Sequence, residues 1–124
     1  MKYLAPVGPN GQEFAYNSRF DYDSNVAGAA EAISMGTLNA PVTISAIGPA
    51  SLVASIQATV NPQADIDAGT ADWIDITGLT AIANVLKMVS VTGPFTAIRP
   101  NIGTQQVGTL KVCVRMASYS VFGN

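Results

Sequence analysis

The residue types that most often carry catalysis near neutral pH are scarce in this chain. Histidine is absent, which removes the usual general base and leaves a Ser or Cys nucleophile without its common activator. The one cysteine, Cys113, sits in an alternating run and shares parity with Lys111 and Arg115. Those cations would lower its thiol pKa if all three were exposed. The plainer reading is a small, half-buried residue in a sheet. With one Cys and no His, a zinc site has too few ligands. Asp65, Asp67, Gly69 and Asp72 have an outline of a calcium loop. Gly falls one place early for an EF-hand and no closing Glu follows, so these Asp side chains read instead as turn residues that cap backbone groups. Asp72 and Asp75 fall on opposite faces of any strand, which weakens a glycosidase pair. Neither GxGxxG nor GxxxxGK occurs. Trp73, the sole Trp, is expected in the core or between sheets; only an exposed Trp73 with polar neighbours would make a sugar platform. The chain is therefore expected to be no enzyme and to hold no metal or cofactor.

What positions these residues is a chain of short strands. Ala54, Ile56, Ala58 and Val60 alternate with Ser55, Gln57 and Thr59, the pattern of a half-buried antiparallel strand. Val42, Ile44 and Ala46 alternate with Thr43 and Ser45, and Leu110, Val112, Val114 and Met116 alternate with Lys111, Cys113 and Arg115. Trp73–Ile76 reads as a short strand, and residues 95–102 as a strand placed at an edge or bulge by Pro100. Residues 80–86 fit helix or strand equally, with strand favoured from Val89. Residues 61–72 read as a polar loop. The Ala-rich stretch 26–36 allows a short helix, limited by Gly28 and Gly36. Such strands at about ten-residue spacing, with Gly and Pro between them, predict an all-β fold, an antiparallel β-sandwich or jelly-roll-like single domain over 26–124.

Residues 1–25 read differently. Pro6, Gly8, Pro9 and Gly11 open the segment, and Phe14, Tyr16, Phe20 and Tyr22 follow among Glu13, Arg19, Asp21 and Asp23. This predicts an extended N-terminal arm with a short strand near residues 13–16, either docked by its aromatics into a partner's groove or folded back over its own core. Phe14, Tyr16, Phe20 and Tyr22, with Arg99, are the candidate partner-binding residues.

Composition points the same way. At 124 residues the chain suits one domain, and such a domain buries roughly two-thirds of its unfolded surface. Only 11% of residues are charged, against about 25% in ordinary globular domains. A surface so poor in charge is expected to be covered in part by other protein. The net charge of −2 and six scattered basic residues argue against nucleic acid. A single Cys forbids an intrachain disulfide. Neither a signal-peptide core nor a membrane-length apolar run is present, so the chain is expected to fold in a reducing cytoplasm.

From residue 51 to 117 the order of features is that of a known class. The strand carrying Gln57 and Thr59 runs into the Asp-rich loop. Asp72-Trp73-Ile74-Asp75-Ile76 follows, then Gly93-Pro94-Phe95-Thr96-Ala97-Ile98-Arg99, then the strand Gly108–Arg115. This layout resembles the small β-sandwich virion proteins of tailed bacteriophages. The resemblance implies capsid decoration, or cementing, at the virion surface. Its partners would be itself, as a homotrimer or homodimer, and the major capsid protein. A tail, neck or fibre-associated role shares the layout, and a carbohydrate-binding sandwich is the alternative from another class.

Overall fold

The structure is a computed structural model and describes residues 2–3, 6–7, 15–35, 41–92 and 95–117. It is a sandwich of two sheets. The strands are β1 (Lys2–Tyr3), β2 (Pro6–Val7), β3 (Ala15–Asp23), β4 (Gly28–Ala29), β5 (Ile33–Ser34), β6 (Val42–Ile47), β7 (Val53–Thr59), β8 (Ile74–Asp75), β9 (Lys87–Val91), β10 (Ala97–Thr104) and β11 (Thr109–Ala117), with the helix α1 (Gln63–Ala68) between β7 and β8. The first sheet runs β1-β5-β10-β7-β8, with β4 also on β10; the second runs β2-β3-β11-β6-β9. Every pairing is antiparallel except β1 with β5. From β5 onward the chain changes sheet at each step except β7 to β8.

Period-two patterning builds the core. β6 alternates buried and half-buried along its length, so Val42, Ile44 and Ala46 face inward. Ala54, Ile56 and Ala58 of β7 oppose them, with Ile98 and Ile102 of β10 and Leu110, Val112 and Val114 of β11 in the same cluster. Burying each Ile or Val contributes about 1.5–3 kcal/mol. Val60 continues the parity of Ala58 but lies beyond the end of β7 and is 72% exposed.

Several expectations are corrected. Residues 15–23 are not an arm, so residue 25 is not the edge of the sandwich. β3 pairs with β11 over nine consecutive residues, and its aromatics and charges divide by parity. Phe20 and Tyr22 are buried, while Arg19, Asp21 and Asp23 face solvent. The interleaved charges that made the segment look like an arm are the wet face of a half-buried strand. The Ala-rich stretch makes β4 and β5 rather than a helix; Gly28 adopts φ +100°, outside helical geometry. The polar loop after β7 contains α1, which stops at Gly69 in the left-handed conformation. Residues 80–86 form neither regular element. They follow β7 irregularly through Ile82, whose N–H donates to the Ala54 carbonyl at 2.9 Å.

Pro100 points to an edge or bulge, yet β10 lies inside its sheet, between β5 and β7. The Pro100 carbonyl accepts from the Ala30 N–H at 2.8 Å, so its nitrogen also faces that side. There the flanking strand is split, β5 meeting Ala97–Ile98 and β4 meeting Asn101–Ile102. The missing N–H falls at the split, and the ladder with β7 loses nothing. The register shift in β10 comes later, between Ile102 and Thr104.

Candidate functional site

The outer face of the first sheet carries a row of linked polar side chains. Register sets Asp75 beside Gln57 and Gln57 beside Arg99. The Asp75 carboxylate accepts from Ser55 Oγ at 3.1 Å and from Gln57 Nε2 at 3.2 Å. Gln57 Oε1 then accepts from Arg99 Nε at 2.9 Å. The Arg99 guanidinium lies over the Trp73 ring, 4.2 Å from its centroid. A contact of this kind contributes about 0.5–2 kcal/mol, depending on desolvation. Both residues are half-buried, and partial burial pushes the Arg99 pKa down from its ordinary value. Trp73 is thus on the outer face rather than in the core. It precedes β8, which is only two residues long, and the loop carries the indole onto the sheet's outside.

Helix α1 closes this row into a pocket. Asn61 organises the approach: its Oδ1 accepts from Thr59 Oγ1 at 3.0 Å and from the Asp72 N–H at 3.3 Å. The helix then sets Ile66 and Asp67 across from Trp73 and Arg99. Together with Ala71 and Glu31 they line a cavity of about 320 Å³. Gln63 Nε2 donates to Asp67 at 2.9 Å, and Lys2 lies 3.6 Å from Glu31, so both acids are supported within the fold. Asp65 and Asp67 belong to the helix, and among the described residues no three of His, Cys, Asp and Glu converge on a metal position.

The second sheet's outer face places Cys113 between Arg19 of β3 and Ser45 of β6. The thiol is free and half-buried, and Lys111 and Arg115 share its face as parity predicted. Arg19 donates from Nε and Nη2 to Asp21 at 3.0 and 3.2 Å. That hydrogen bond raises the Arg19 pKa and lowers that of Asp21.

The five candidate binding residues separate. Phe20 and Tyr22 are core side chains and offer no docking surface. The Tyr22 hydroxyl donates to the Glu31 carbonyl at 2.9 Å, and burial pushes its pKa well above the ordinary tyrosine value. Phe14 and the Tyr16 side chain lie outside the described residues. Arg99 lines the pocket under α1 and is stacked on the Trp73 ring.

No protein-family model matches the chain, and no curated protein matches it. Among solved structures, one similar chain comes from Bacillus endospore appendages, described as a novel family of disulfide-linked pili. It is 15% identical over 93% of this chain and 98% of that one, with a TM-score of 0.43. Likeness at that level carries nothing about function. Among the described residues no helix is long and apolar enough to cross a membrane.

Two surface features went unread in the sequence. Val60 and Ile74, 72% and 73% exposed, flank an apolar notch of about 180 Å³ beside Phe95. Val85, Leu86 and Met88 are exposed just before and within β9. Parity could have flagged Met88, which pairs with outward-facing Ser45. Nothing local marks Val85 and Leu86 as surface residues.

Proposed function

We propose that this chain is a non-enzymatic structural protein of a virion, a decoration or cement subunit that strengthens a phage head by contacts with copies of itself and with the major capsid protein. The observation that carries the reading is the apolar cluster at one sheet edge. Val85, Leu86 and Met88 are 64%, 51% and 60% exposed. They adjoin β9, the terminal strand of its sheet among the described residues. The opposite edge, β3, presents exposed Arg19, Asp21 and Asp23 beyond its short pairing with β2. Charge of that kind blunts strand-to-strand association, whereas an open apolar edge offers main-chain hydrogen bonds and buried area to a partner. The low charge of the chain and the virion-like order of its features support the same reading.

Light scattering behind size exclusion tests it. The expected result is a dimer or trimer that Leu86→Glu with Met88→Glu dissociates, and co-sedimentation of the wild type with empty capsids. A monomer that stays in the supernatant would refute the proposal, and rings or rods would move it to the tail.

A further inference from the structure

The pocket over Trp73 and Arg99 has a composition that selects among ligands. Arg99 spends Nε on Gln57. Among the described residues it forms no ion pair, so its two terminal amino groups retain their donors at the cavity. Asp67 stands on another wall as an acceptor, Glu31 beside it is held by Lys2 at 3.6 Å, and Ile66, Ala71 and the Trp73 side chain supply apolar surface. A simple anion would meet the Asp67 carboxylate. A cation would meet the guanidinium. A wholly apolar ligand would strip water from a charged group and return no hydrogen bond. What fits donors, acceptors and an aromatic wall together is a neutral molecule whose hydroxyls each donate and accept and whose ring has an apolar face. The volume of about 320 Å³ lies at the lower end for ligand pockets, which suits one small ring and not an extended chain.

We infer that the Trp73–Arg99 pocket binds a neutral saccharide residue. Its hydroxyls take the Arg99 amino groups and the Asp67 carboxylate, and its apolar face lies on Ile66 and Ala71 beside the Trp73 indole, one face of which Arg99 already covers. The site is separate from the β9 edge and stands or falls without it.

Trp73 is the sole tryptophan, so its fluorescence reports on this pocket directly. The probes are D-glucose, D-galactose, N-acetyl-D-glucosamine and D-glucuronate, titrated into the full chain through the millimolar range. A saturable emission change with at least one neutral sugar is expected. Removing either partner should weaken binding about tenfold or more. The variants are Arg99→Gln and, on the exposed face of α1, Asp67→Asn, each checked by circular dichroism for an unchanged fold. No saturable change with any neutral sugar overturns the inference. So does binding that survives both substitutions, and so does glucuronate binding more tightly than glucose, which would make the pocket an anion site.

Discussion

Tyr22 shows how one residue's placement becomes a measurable property. Its ring is buried and its hydroxyl donates to the Glu31 carbonyl at 2.9 Å. Tyr22→Phe should cost about 1 kcal/mol in urea unfolding, because it leaves that carbonyl short of a donor. The pH dependence follows from the raised pKa. The folded state holds the phenol neutral, and the unfolded chain titrates near the model value of 10.0. This contribution is therefore fully present below about pH 10 and falls away as pH climbs toward the raised folded value. Compared with the wild type, Tyr22→Phe should lose less stability from pH 10 upward; parallel profiles would show that Tyr22 does not titrate late. For Tyr22 the sequence leaves a partner's groove and the chain's own core both open, and the structure places it in the core. An aromatic between charges looks the same on an arm and on a half-buried strand until the partner strand is known. The reverse holds for Trp73: its type suggested a core residue, and only a two-residue β8 explains its place outside.

Among elements, the alternating strands were legible, and irregular segments were not. β6, β7 and β11 follow from period two, because a buried face demands it. α1 was missed because it buries no residue, and without a buried face there is no apolar stripe to read. Pro100 misled because the rule that bars Pro from inner strands assumes an unbroken neighbour on both sides. The turn after β8 offers a sharp test. Gly78 adopts φ +90°, and a Cβ there would lie 2.6 Å from Val89 Cγ1. Gly69 adopts φ +76° at the end of α1 with open space around it. Gly69→Ala should cost about 1–2 kcal/mol from conformation alone. Gly78→Ala should cost about 2–4 kcal/mol, since a clash with a β-branched core side chain is added. Equal losses in chemical denaturation would mean that Val89 yields freely.

At the scale of the molecule, both sheets share one core, so a cavity in either should weaken the whole. Ile56 of β7 and Ile44 of β6 face each other's sheet and are fully buried. Either one changed to Ala should cost about 2–5 kcal/mol, with a single cooperative transition retained. Separate transitions would show two independently folding layers. The all-β architecture was readable because strand spacing and turn residues recur along the chain. Which strands are neighbours was not, since register and pairing depend on residues far apart in sequence. The pairing of β3 with β11 is the case with the widest reach. A ribosome extends the chain by about 5–20 residues each second, so roughly 90 residues of synthesis separate these two strands by some 5–20 s. Throughout that interval Phe20 and Tyr22 have no sheet to enter. Newborn chains therefore hold β3 with only its short pairing to β2, and its aromatic face waits exposed until β11 is made.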